Sequence, residues 1–146
     1  MTPETEMMLM FAARSEHLAT VIRPALARGA WVISDRFSDA TYAYQVGGRG
    51  VPAEKFAALE SWVQAGLQPD RTILFDVSVE TAQARLHDTR ILDRFEREAA
   101  DFHQRVRDAY HARQADQPSR IRRVASDVPI EVVRDQILMA LEDLLN

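Results

Sequence analysis

The chain has 146 residues, 47% of them hydrophobic and 27% charged, which is the balance of an ordinary soluble globular domain with one core. A formal net charge of −4 argues against a duplex-binding surface, and no apolar run approaches the span a bilayer requires. The absence of cysteine excludes disulfides, thiolate metal sites and cysteine nucleophiles, and is compatible with the cytoplasm.

Thr2-Pro3-Glu4 reads as a helix start: a capping hydroxyl, a proline in the first turn and an acid near the positive end of the dipole. Met7, Met8, Phe11, Leu18, Val21 and Ile22 carry its apolar pattern towards Ala27, with Pro24 kinking or ending the regular part and Gly29 stopping it. The apolar run Trp31-Val32-Ile33-Ser34 predicts a buried parallel strand. A helix is expected within 35–45, followed by the turn Gly47-Gly48-Arg49-Gly50.

From Pro52 a second helix sets Phe56, Leu59 and Val63 on one face and ends near Gly66. Residues 72–77 predict a second buried strand and 79–87 a helix. The best-patterned helix carries Phe95, Ala99, Phe102, Val106 and Tyr110. A short strand over 120–125 precedes a final helix with the stripe Ile130, Val133, Ile137, Leu141 and Leu144. Helices alternating with short apolar strands indicate an α/β fold whose parallel sheet is covered on both faces, here within a single domain, 1–146. Three strands make a thin sheet for such a fold.

In parallel sheets, ligands bind where strands end at their carboxyl edge. Asp35-Arg36-Phe37 sits at that edge of the first predicted strand, where an arginine can grip a phosphate through two parallel charge-assisted hydrogen bonds. Asp35 can orient that arginine or hold a magnesium-bound water. Gln45 offers a donor and an acceptor to the edge of a pyrimidine, and Tyr44 can pack on a ring or sugar; equally, the glycines after them suit a plain helix end. Asp93 and Glu96, three apart, share a helix face, as acids near a positive helix end often do. The histidines at 17, 87, 103 and 111 show no metal-ligand spacing, and the pair 103/111 reads as the solvated side of a helix.

Asp35-Arg36-Phe37, then Tyr44-Gln45, then Gly47-Gly48-Arg49-Gly50, resembles the monophosphate-binding segment of bacterial thymidylate kinases. The resemblance extends upstream through Leu9 to Arg14 and the run 21–36, and downstream through Pro69-Asp70, Phe75-Asp76-Val77 and Asp93-Arg94-Phe95-Glu96. It implies a P-loop NTPase-like fold of the nucleoside monophosphate kinase type, phosphoryl transfer from ATP with Mg2+ to dTMP, and a cytoplasmic homodimer without nucleic-acid or membrane partners. By the same resemblance Met10, Phe11, Arg14, Arg36, Thr41, Tyr44 and Gln45 bind dTMP, with Met10 where many members carry phenylalanine. Arg36, Asp35, Arg85, Arg90 and Asp93 fall to catalysis, the lid region being 85–96 and the acceptor region 1–50. Residues 120–129 correspond to the adenine-side strand and loop, and Asp76 is read as structural.

No Gly-x-x-x-x-Gly-Lys-(Ser/Thr) occurs in the chain, whose only lysine is Lys55. The expectation is therefore a C-terminal two-thirds of the family domain, with the N-terminal strand and P-loop missing and no activity of these residues alone. The alternative is a non-catalytic nucleotide-binding or dimerisation module derived from the kinase.

Overall fold

The computed structural model describes residues 1–78, 81–82 and 94–145, with 94–99 known by their backbone only. The chain divides into two compact units, Met1–Gln68 and Pro69–Asn146.

In the first unit, helix α1 (Pro3–His17) opens as the sequence predicts: the Thr2 hydroxyl accepts from the Thr5 amide at 3.2 Å, and Glu4 and Glu6 occupy the first turn. Pro24 has no N–H for the Thr20 carbonyl, and its ring would crowd that oxygen. The helix responds by widening into a π-helical turn, Leu18–Ile22, before resuming as α2 (Arg23–Ala27). Gly29, at φ 73, ends it in the left-handed region. Met7, Phe11, Leu18 and Ile22 are buried, whereas Met8 and Val21 of the predicted stripe face solvent.

Helix α3 (Ser38–Thr41) runs directly into a second π-helical stretch, Tyr42–Gly48, so the helix expected within 35–45 exists but starts later. Helix α4 (Ala53–Gln64) packs on α1 through Met7, Phe11, Val51 and Phe56. The rings of Phe11 and Phe56 lie 5.5 Å apart, and Tyr42 meets Phe56 edge-on at 5.2 Å. Ala65 (φ 48) and Gly66 (φ 83) turn the chain out of α4. Buried Gln64 holds this end: its side-chain amide donates to the Leu67 carbonyl at 2.9 Å, and its backbone carbonyl accepts from Arg23 at 2.7 Å.

The strand predicted at 31–34 does not form: these residues join no ladder, and Trp31 and Ile33 are 66% and 95% exposed. A strand is stable only beside another strand, and the described residues offer this run no partner, so apolar composition alone cannot fold it.

The second unit is built on a two-stranded parallel sheet, β1 (Thr72–Asp76) against β2 (Ile121–Ala125), in register from Thr72 opposite Ile121 to Asp76 opposite Ala125. Between them runs the 23-residue helix α5 (Arg94–Asp116), giving the crossover that parallel strands require. Helix α6 (Ile130–Leu145) follows β2. Val106, Ile121, Val124 and Val133 are buried, while Phe75 remains exposed, so the sheet is not fully covered among the described residues. On α6, Val133 is the buried member of the predicted stripe and Ile130 is exposed. Gln136 accepts from the Ala125 amide at 3.0 Å, tying α6 to the end of β2. Arg71, just before β1, donates to the Ser119 carbonyl and reaches both carboxylate oxygens of Asp143 at 2.6 Å. Of the helix predicted at 79–87, only Thr81 and Ala82 are described, and they are helical.

Candidate functional site

Of the expected site residues, Met10, Phe11 and Arg14 lie on α1 and Thr41, Tyr44 and Gln45 on the helical segment Ser38–Gly48. Arg14, in the last turn of α1, is half-buried, and its Nη2 donates to the Thr41 hydroxyl at 2.9 Å. Its guanidinium carbon lies 4.9 Å from the centre of the Phe11 ring and 5.0 Å from that of Phe37, both in cation–π range. Burial pushes the Arg14 pKa down from its ordinary value, while the charges of Glu60 and Asp39 oppose that shift. The Nη1 atom is buried and makes no hydrogen bond among the described residues. A buried, unspent donor of this kind is costly unless an acceptor arrives to meet it.

Arg36 stands at φ 63, a left-handed backbone that a side chain with a Cβ rarely adopts. Its carbonyl accepts from the Ser34 hydroxyl at 2.9 Å, fixing the turn, and its guanidinium carbon sits 5.2 Å from the Tyr44 ring centre. Asp35 and Arg36 are both exposed. The Phe37 carbonyl accepts from the Ala40 and Thr41 amides at 3.2 and 3.4 Å and so opens α3. Thr41 and Gln45 are buried on the segment, and Tyr44 is half-buried.

Met10 is 48% exposed whereas Phe11 is 1% exposed, so the thioether of Met10 is the more available of the two to a ligand ring. Phe11 belongs to the core, with Phe56 on its ring and the Arg14 guanidinium within cation–π distance. The Gly47-Gly48-Arg49-Gly50 turn closes with Gly50 at φ 72, and Arg49 pairs with Glu6 of α1 at 3.8 Å. Arg85, Arg90 and Asp93 lie outside the described residues, as does the side chain of Glu96.

A second polar centre lies at the carboxyl end of β1. Asp76, at the carboxyl end of β1, accepts from Arg107 at 2.8 and 3.1 Å, with Arg123 at 3.7 Å and His111 Nε2 at 3.2 Å. The His111 contact is close but off the line of a hydrogen bond. His111 therefore faces the sheet end rather than the solvated side expected for it, while His103 is exposed as expected. Arg107 and His111 are four apart on α5, the signal that could have revealed a shared face directed at one acid. Burial raises the Asp76 carboxyl, but the Arg107 fork and the neighbouring imidazole outweigh it and hold its pKa below the ordinary value. The backbone carbonyl of the same residue accepts from the Ser126 amide and hydroxyl at 2.8 and 2.9 Å.

The profile of the thymidylate kinase family matches residues 1–137. A thymidylate kinase of Methylobacillus flagellatus is 59% identical over 135 residues, covering 92% of this chain and 66% of that protein. One from Bordetella petrii is 58% identical over 144 residues, covering 99% and 70%, and one from Chromobacterium violaceum 54% over 143, covering 98% and 68%. The chain thus spans about two-thirds of the length of these relatives. With identity of this order over nearly every residue present, the chain belongs to the thymidylate kinase family.

Proposed function

We propose that these residues form the acceptor side of a dTMP kinase, the part that holds dTMP while a phosphoryl group arrives from ATP. The observation that carries this reading is Arg14, whose buried Nη1 donor awaits an acceptor while Thr41 occupies Nη2. Arg14 would then meet the pyrimidine and 5′-phosphate region. Arg36, exposed and pre-set by its backbone, would grip the monophosphate, with Asp35 orienting it. Tyr44, Thr41 and Gln45 would recognise the nucleoside, and Met10 would lie over its base. Catalysis by positioning and by cationic stabilisation of the transferring group is assigned to Arg36, Asp35 and the lid residues Arg85, Arg90 and Asp93.

Mg2+ brought with ATP would neutralise charge on the phosphates, and the exposed carboxyl of Asp35 would hold a water of its shell. Residues 1–146 are taken as part of one kinase domain, with a homodimer in the cytoplasm as the working unit. Among the described residues no helix is long and apolar enough to cross a membrane.

A second reading of these 146 residues is a nucleotide-binding module derived from the kinase. Both readings share the dTMP site. Titration calorimetry of the chain should detect dTMP and not AMP, and Arg36→Ala should weaken dTMP at least tenfold, the order expected for a lost charge-assisted pair. Equal affinity for AMP and dTMP would overturn the site assignment. Turnover of dTMP by these residues alone would eliminate the module reading.

A further inference from the structure

On the dTMP-site reading above, we infer that Ser34 is a positioning residue for Arg36, locking the left-handed turn that carries its guanidinium to the monophosphate. The Ser34 hydroxyl donates to the Arg36 carbonyl at 2.9 Å, across a backbone at φ 63. Residues 31–34 join no ladder, and among the described residues no backbone–backbone hydrogen bond involves 31–36. Side chains therefore hold this turn: the Ser34 hydroxyl at its carbonyl, and the Tyr44 ring centre 5.2 Å from the Arg36 guanidinium carbon.

A left-handed backbone is disfavoured roughly five- to thirtyfold for a residue with a Cβ. A net hydrogen bond returns roughly two- to tenfold, and an exposed cation–π contact roughly two- to fivefold. Neither alone meets the larger penalty, whereas the two together match it. The two contacts also depend on each other. Reversing the sign of φ at Arg36 rotates its Cα–Cβ bond about N–Cα and swings the guanidinium off the Tyr44 ring. Tyr44 meets the cation through a ring, which spends none of the N–H donors of the planar fork, so the fork stays open to two phosphate oxygens. A monophosphate then meets an arm already in place, and its apparent affinity is not divided by a small competent fraction. Thr41 and Gln45, assigned to the nucleoside, lie beyond the turn on Ser38–Gly48, so Ser34 acts on the phosphate end alone.

The test compares Ser34→Ala with Ser34→Thr in the full 146-residue chain, with two readouts. First, NMR of the ligand-free chain should show the Arg36 side-chain protons shifted upfield by the Tyr44 ring. Ser34→Ala should return them towards ordinary values, and Ser34→Thr, which keeps the hydroxyl, should preserve the shift. Second, calorimetry should show Ser34→Ala weakening dTMP about fivefold, the scale of one hydrogen bond, while thymidine, which lacks the phosphate, is unaffected. Ser34→Thr should bind both as the unsubstituted chain does. Unchanged Arg36 signals in Ser34→Ala overturn the proposal whether or not a nucleotide binds. Equal weakening of dTMP and thymidine also overturns it, because a purely structural role of Ser34 would act on both alike, and so does undiminished dTMP affinity in Ser34→Ala. If the unsubstituted chain binds neither ligand while the Arg36 signals respond as expected, the dTMP reading fails and the positioning of Arg36 stands.

Discussion

Arg107 holds Asp76 with a two-pronged grip, Nε to Oδ1 at 2.8 Å and Nη2 to Oδ2 at 3.1 Å, joining α5 to the carboxyl end of β1. Because the folded Asp76 titrates below its ordinary 3.8, its contribution to stability is complete above that pH and fades as pH falls through the depressed folded value. Asp76→Asn should therefore cost about 2–3 kcal/mol near neutrality, the scale of hydrogen bonds to a charged group. Urea titrations of the two proteins at several pH values should converge below pH 3.8. A gap that persists unchanged into acid would show that the carboxylate charge is not what holds α5 to the sheet.

Thr41→Val tests the hydrogen bond between Arg14 and Thr41. It removes the acceptor from Nη2, at 2.9 Å, and leaves a second guanidinium nitrogen without a partner. Chemical denaturation should register a loss of about 1–3 kcal/mol, the penalty for an unmet buried donor. Affinity for dTMP should fall with it, and Thr41→Ser should restore both.

The core of the first unit turns on Phe56, whose ring meets Phe11 at 5.5 Å and Tyr42 at 5.2 Å. Phe56→Ala should cost about 3–5 kcal/mol, as large-to-small substitutions in packed cores do. Loss of amide-exchange protection in α1 and α4, with β1 and β2 still protected, is the expected signature. A uniform loss across the chain would mean that the two units unfold together.

Ala65 caps α4 in the left-handed region at φ 48, where a Cβ is strained. Ala65→Gly should raise stability by roughly 1 kcal/mol, since glycine relieves more strain there than it loses in chain entropy. Calorimetric melting checks this, with an unchanged or lower midpoint as the contrary result.

Local signals were legible from sequence wherever a single segment decided the outcome. The Thr2 cap, the disturbance at Pro24, the stop at Gly29 and the exit from α4 are all short-range and all stand in the structure. Residues 31–34 read as a strand because composition reports burial preference and not the presence of a neighbour, and Trp31 lies exposed instead. The contact of Arg14 with Phe37 joins α1 to a turn 23 positions on, and pairings at that separation leave no periodicity to read. The group around Asp76 escaped for the same reason: β1, α5 and β2 each contribute to it.

The left-handed backbone of Arg36 sets two demands against each other at one position. Glycine there would relax the turn and discard the cation, while lysine would keep the charge and lose the planar fork. A library randomised at 36 and sorted for thermal resistance should enrich glycine; the same library sorted on immobilised dTMP should return arginine. Divergence of the two winners is the pattern left when selection for binding outweighs selection for rigidity.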